Sequence, residues 1–464
     1  MDQSLEKAPL GQLMAKFCLP CITSLLVSCL YNIVDQMFVG NGIGYQANAA
    51  TGVIFPLTVL GWGLSLLFGD GAAAAFSLSQ GSGQKENAAR FCGQAVWMTF
   101  VSSLIVAVLF LLFPSAVLRF AGASDALMAP AYEYGRIILL FMPLAMVQNA
   151  MAPMIRADGA PAYSMLAMIA GALFNIAGDY IAIFVLHMGL AGAAWATVLG
   201  QVLSLLICLA YFLKDPQKRL TLSLFQANWQ LDFRIARLGM PSFLSQISIV
   251  AITIVNNLLL VHFGALSQYG SEIPLAAFVV LMKLFQIVIN IAIGIGAGCQ
   301  PIVGTNFAAG NVSRVRGLFG RMCIWTALTG IAASVCFFLF AQPIVEMFGA
   351  QDALYLQFAI RTVHIYLSLI MLTCLQKMGS IFMQAAGQAS QAAFLSILRD
   401  GLLVIFAVLF ANLWKLEGIF WSSVAADLVA GLWTGIVLIR FIQTLPERMA
   451  KAASTQNQTI SQTV

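Results

Sequence analysis

Apolar runs of about 20 residues recur along the whole chain, and each is long enough to cross a bilayer as a helix. Gly, Pro or charge closes off each run. They predict helices near 14–40, 52–79, 91–113, 131–154, 163–186, 190–213, 237–262, 274–304, 317–341, 355–384, 391–412 and 418–442, twelve in all. Most connections are short and leave no room for a soluble catalytic domain. The exception is 214–237, where Lys214, Lys218, Arg219, Arg234 and Arg237 accompany Leu224-Phe225-Gln226-Ala227-Asn228-Trp229. That mixture of apolar and polar residues suits an interfacial segment.

Composition agrees with the pattern. The 464 residues are 61% hydrophobic and 9% charged, with a mean hydropathy of +0.90; a soluble domain carries about 25% charged residues. The expectation is an all-α integral membrane protein, multi-pass, in the cell (inner) membrane. Sixteen of the 23 Lys and Arg lie at the termini, in connections after even-numbered runs or within about four residues of these inside the adjoining run, and only Arg119 and Lys415 lie in connections after odd-numbered ones. The positive-inside rule then puts both termini and the 214–236 linker in the cytoplasm. The net charge of +5 is spent on topology, which excludes nucleic acid as a partner. The first apolar run follows Lys7 and Lys16 and is too long for a signal-peptide core, so it should stay as the first helix. The nine cysteines lie in or beside apolar runs and read as small packing residues, not as disulfides or metal ligands.

The chain also repeats. Gly71 and Gly83 match Gly298 and Gly310, and Asp125 matches Asp352, all at an offset of 227. Leu19-Pro20 matches Met240-Pro241, and Trp195 matches Trp421, at offsets of 221 and 226. Six helices per repeat is an even number, so both halves enter the membrane the same way up. Such repeats are related by a pseudo-two-fold axis along the membrane normal, with substrate bound between them. The predicted division is 1–213 (first lobe), 214–236 (linker), 237–443 (second lobe) and 444–464 (tail).

Charges inside the runs carry the chemistry. A carboxylate near the centre of a spanning helix costs roughly 2.5–3.5 kcal/mol on insertion scales and is functional by default. Asp35 is the one charge in the body of the first run. Asn175 and Asp179, four apart, share a face of the fifth run, and Thr197 stands in the sixth. Counted from the run ends, Asp35, Asp179 and Thr197 lie roughly 7–11 Å below the outer boundary. Oxygen-bearing side chains at one level form a hard site suited to H⁺ or Na⁺ and not to a soft transition metal; the alternative is separate polar residues satisfied locally. The repeat is unequal here. Ile33-Val34-Asp35-Gln36 aligns with Ile254-Val255-Asn256-Asn257, and Asp179 falls on Ile405 or Phe406. The second lobe has Lys283, Arg399, Asp400 and Asp427 at depths of about 12–15 Å. These are expected to pair with one another, the sharper alternative being that Lys283 or Asp400 touches substrate. Arg361 and His364 are expected to snorkel outward.

Pro20, the Tyr31–Gly40 stretch with Asp35, and Gly69-Asp70-Gly71-Ala72-Ala73-Ala74 on a duplicated twelve-helix plan resemble the MATE (multidrug and toxic compound extrusion) exporters, notably their bacterial MepA-like and DinF-like branch. The likeness covers nearly the whole chain. It implies twelve transmembrane helices in two six-helix lobes, the MATE/MOP-type fold, around a V-shaped cavity that opens alternately to either side. It maps a first-lobe cation or proton site onto Asp35, Asn175, Asp179 and Thr197. NorM-like members place acids in the seventh and tenth helices. Here Asn256 stands in the seventh and the tenth has none, so a second-lobe site of that type is not expected. The implied activity is secondary active export of hydrophobic or organic cationic compounds, coupled to H⁺ or Na⁺, by a monomer with no other cofactor. A lipid-linked oligosaccharide or lipid flippase of the same superfamily is the alternative, and it would need several cavity cations for pyrophosphate. A membrane enzyme would need a His/Asp/Glu cluster near the interface, which three scattered histidines do not make.

Overall fold

The computed structural model describes residues 4–83, 88–121, 123, 125–214, 228–347 and 353–452. Among them the regular structure is all helical: α1 (Ser4–Lys7), α2 (Leu10–Gly42), α3 (Tyr45–Gly81), α4 (Ala88–Leu112), α5 (Pro114–Phe120), α6 (Asp125–Ala157), α7 (Pro161–Tyr180), a π-helical turn (Ile181–Val185), α8 (Gly189–Lys214), α9 (Trp229–Ala265), α10 (Glu272–Ala308), α11 (Val312–Glu346), α12 (Ala353–Tyr366), α13 (Ile370–Ala385) and α14 (Ala389–Gln443).

The last three of the twelve spans do not correspond to one helix each. α12 and α13 form the tenth span, bent by 49° at a short break. α14 has 55 residues. At a rise of about 1.5 Å per residue that is far longer than a hydrocarbon core of about 30 Å. It turns back at Lys415 (φ 55, ψ −135), where Gly418 lies against the Phe410 carbonyl so closely that a side chain would not fit. Its two limbs are the eleventh and twelfth spans. The seventh span starts earlier than the apolar run. Asn228 Oδ1 accepts from the Leu231 N–H at 3.2 Å, and Asp232 Oδ2 accepts from the Asn228 N–H at 3.1 Å. That reciprocal cap starts the helix at Trp229, so Arg234 and Arg237 belong to α9 and not to a linker. Residues 215–227, with Lys218, Arg219 and most of the expected interfacial segment, lie outside the described residues, as does the tail beyond 452.

The two halves, α2–α8 and α9–α14, exchange the beginnings of their first long helices. Leu13, Met14, Phe17 and Cys18 of α2 pack with Ile295, Cys299, Phe307 and Phe382 of the second half. Leu231, Ile235 and Leu238 of α9 pack with Phe76, Phe91, Met151 and Phe212 of the first. The sequence repeat now has a physical reason. A Cβ on Gly298 would stand 2.7 Å from Cys18 Cα, and one on Gly71 would stand 2.9 Å from Gly239 N. Each glycine is the notch through which the partner's first helix crosses. Gly83 and Gly310 end α3 and α10 with φ of 77° and 75°, the left-handed closure that favours glycine.

The links between the halves gather toward the end of the bundle where Leu5 packs with Leu445 and Met449. Ser242 Oγ donates to Asp70 Oδ2 at 2.9 Å, Arg234 Nη2 to Ser79 Oγ at 3.3 Å, and Thr305 Oγ1 to the Ser77 carbonyl at 3.5 Å. Arg314 Nη2 donates to the Leu5 and Ala8 carbonyls at 3.1 and 2.9 Å, tying the chain start to the second half. Toward the other end, the outer halves of α2 and α3 border a cavity instead.

Candidate ion site and cavity

Small residues set the site's frame. Along the α7–α8 contact, a Cβ on Gly200 would stand 2.7 Å from the Gly171 carbonyl, and one on Gly178 would stand 3.0 Å from Ala196 Cβ. This close approach brings Asn175 of α7 to Thr197 of α8, where Asn175 Nδ2 donates to Thr197 Oγ1 at 3.3 Å. One turn farther along α7 is Asp179, fully buried. α2 packs on the same face of α7 and sets Asp35 beside it, close enough for one carboxyl to donate to the other when it carries a proton. Asp35, Asp179 and Thr197, which share a depth in the sequence, therefore form one cluster in space together with Asn175.

The cluster is short of donors. Asp35 Oδ1, both Asp179 oxygens and Asn175 Oδ1 are buried without a hydrogen-bond partner. Two carboxylates side by side in a low-dielectric site repel unless a positive charge comes between them, and unpaired buried acceptors cost free energy that a bound cation or proton recovers. The backbone hydrogen bonding changes here too: α7 passes into the π turn at Ile181, two residues after Asp179, a distortion common at functional sites. Phe38, Tyr180 and Phe184 pack against one another in tilted and edge-on contacts, at centroid distances of 5.6–6.4 Å, near the acids in sequence.

Asp35, Asn175 and Thr197 open onto a cavity of about 680 Å³ within the first half, and Asp179 lies behind it. Its wall mixes aromatic and sulfur side chains, Tyr31, Phe55, Trp62, Tyr134, Met142 and Met168 among them, with amides and hydroxyls such as Gln148, Asn149 and Gln201. Tyr134 of α6 is within electrostatic range of both acids. Nothing in its own sequence neighbourhood singles it out, because only the fold brings α6 to α2 and α7.

In the second half, Arg399 Nε donates to Asp427 Oδ1 at 2.8 Å, and its Nη2 to Ser423 Oγ at 3.1 Å. Thr373 Oγ1 donates to the same Asp427 oxygen at 2.8 Å, and Arg399 Nη1 lies 3.8 Å from Asp400 Oδ1. The second cation of this buried group is Lys377, whose Nζ donates to Asp400 Oδ2 at 2.9 Å and to the Ser396 carbonyl at 3.3 Å. Sequence reasoning expects Lys283 in that place. Lys283 instead stands half-buried on α10, within electrostatic range of Cys29 on α2. Asn256, the counterpart of Asp35, is fully buried and donates to its own helix at the Ile252 carbonyl, 3.0 Å away. Arg361 reaches the exposed Glu417 at 2.8 Å.

The chain is similar to known proteins along nearly its whole length. The multidrug export protein MepA of Staphylococcus aureus (strain N315) is 25% identical over 92% of this chain and 93% of its own length. MepA of Staphylococcus saprophyticus is 24% identical over 92% and 93%. A crystal structure of a MATE protein in its straight conformation superposes with a TM-score of 0.84 at 25% identity, covering 96% of this chain and 98% of that one. The outward-facing conformation of a multidrug resistance MATE family transporter of the MOP superfamily gives a TM-score of 0.85 at 24% identity over 96% and 98%. The MatE family model matches twice, at 20–181 and 241–409, once in each half. This multi-pass membrane protein belongs to the MatE family.

Proposed function

We propose that the protein exports hydrophobic and organic cationic compounds, driven by H⁺ or Na⁺ bound between Asp35 and Asp179, in an alternating-access cycle. The observation that carries this is the pair of buried carboxylates, short of donors, at the wall of a partly aromatic cavity. Its relatives named for multidrug export support the substrate class. In this reading the lysine and arginine distribution puts the termini in the cytoplasm. The sealed end is then cytoplasmic and the cavity faces outward.

The ion and the drug act on one equilibrium. A cation between Asp35 and Asp179 relieves their repulsion and holds α2 against α7. Release of that cation to the other side restores the repulsion and favours the other packing of α2, so a gradient does work on the drug. An acidic, partly aromatic wall suits an organic cation and is poorly suited to the pyrophosphate of a lipid-linked oligosaccharide. The test is export from proteoliposomes with pH and Na⁺ gradients imposed separately, for the wild type, Asp35→Asn and Asp179→Asn, with equilibrium drug binding in parallel. The variants should bind drug and fail to move it uphill. Wild-type uphill rates in both would place the ion site elsewhere.

A further inference from the structure

Asp70 sits in the seal, away from the acid pair, in the notch of α3 where α6 and α9 cross it. Its Oδ2 accepts from Ser242 Oγ of α9 at 2.9 Å, and its backbone carbonyl accepts from Gln300 Nε2 of α10 at 3.5 Å. Arg156 Nη2 of α6 lies 3.8 Å from Oδ1, and both side chains are largely buried. Ser242 is held in turn by Gln384 of α13, whose Nε2 donates to Ser242 Oγ at 3.3 Å and to the Leu238 carbonyl at 2.8 Å. One helix of the second half, α9, thus bonds the carboxylate directly, while α10 bonds the backbone of the same residue and α13 holds Ser242 in place.

These bonds divide into two kinds. Arg156 is on the same half as Asp70, so it stays beside the carboxylate when the halves part and keeps the charge compensated. Ser242 and Gln300 are on the other half and leave. A contact made in one arrangement and absent in the other is what biases a two-state equilibrium, and a hydrogen bond to a charged group is a strong one.

We propose that Asp70 is the positioning residue that sets how long this end stays sealed, acting through Ser242, and that it does not carry the coupling ion. The inference rests on the alternating-access reading above, and its test separates the two. Cys18 and Cys299 supply the readout: they face each other across the seal with sulfurs 3.5 Å apart, and both are fully buried. Cys92 and Cys374 are equally buried, one in the core of each half, and report loosening of a half by itself. The full-length protein in proteoliposomes is treated with a membrane-permeant maleimide, and labelling at each cysteine is followed by peptide mass spectrometry. In Asp70→Asn and in Ser242→Ala, Cys18 and Cys299 should label about tenfold faster than in the wild type. The double variant should be no faster than the faster single one, with Cys92 and Cys374 unchanged. Wild-type rates at Cys18 and Cys299 in both variants overturn the proposal, and so does equal acceleration at Cys92 and Cys374. If labelling of the wild-type pair never responds to drug or to an ion gradient, the alternating-access reading fails instead.

Discussion

α2 and α9 hold matching places in the two halves. Each sends its first turns into the opposite core beneath a glycine, Gly298 over α2 and Gly71 over α9. Beyond the seal they part. α2 carries Asp35 to Asp179, in a group with four unpartnered oxygens. α9 carries Asn256, whose amide donates back to its own helix. The second half does have buried carboxylates, but Asp400 and Asp427 already hold Lys377 and Arg399. Both halves share the glycine-notched crossing, and the buried carboxylate oxygens left without a partner are those of Asp35 and Asp179 in the first half.

The largest effect should fall on the acid pair. Asp35→Asn and Asp179→Asn should each abolish uphill export while leaving the fold intact, since amide and carboxyl have the same size. Asn256→Asp placed in the Asp35→Asn background should not restore it, because the position that matches Asp179 holds Ile405 or Phe406. Restored transport in that double variant would show that either half can hold the ion, and the contrast between α2 and α9 would fail.

Next is the saturated network. Arg399→Met strands Asp427 in a dry interior, where removing one partner of a buried pair costs about 3–5 kcal/mol. Thermal unfolding in detergent should show that loss, and Asp427→Asn in the same chain should return part of it. Lys283→Met leaves all of those bonds in place, so its loss of stability should be well below that of Arg399→Met. Equal losses would mean that Lys283 belongs to the network after all.

That contrast marks how far the sequence could be read. Twelve spans and the duplication were legible because apolar length and a fixed offset are one-dimensional signals. The acid cluster was legible for a related reason: the rise per residue converts helix position into depth, and Asp35, Asp179 and Thr197 share one depth. Depth does not say which way a side chain points. Lys283 and Lys377 both stand within apolar spans of the second half, and the packing of α10 and α13 decides for Lys377 as the partner of Asp400. Tyr134 and the Asp70–Ser242 bond were hidden for the same reason, since both need the packing of one helix on another. The early start of α9 was masked by its charge, because Arg234 and Arg237 resemble linker residues until the Asn228 cap is seen.

The notches should give a smaller and symmetric effect. Gly71→Ala and Gly298→Ala each put a methyl against backbone across the seal, and such overpacking costs typically about 1–3 kcal/mol. Unfolding midpoints of the two variants should fall by similar amounts. A large drop at one and none at the other would mean that the two crossings are not equivalent.

The smallest effect should be at Asn256, and it tests the comparison most directly. Its Nδ2 donates to the Ile252 carbonyl at 3.0 Å, its Oδ1 has no partner, and the side chain is fully buried. Asn256→Leu removes one hydrogen bond to a carbonyl in its own helix and also removes one unsatisfied buried oxygen. The two terms oppose each other at about 1 kcal/mol each, so stability should change by less than that. Uphill export should continue, because nothing at this position holds an ion in the proposed cycle. The same replacement at Asp35 should stop export altogether. If Asn256→Leu stays folded by thermal unfolding yet loses gradient-driven export, the path of the ion runs through α9 as well as α2, and the second half is more than a structural partner.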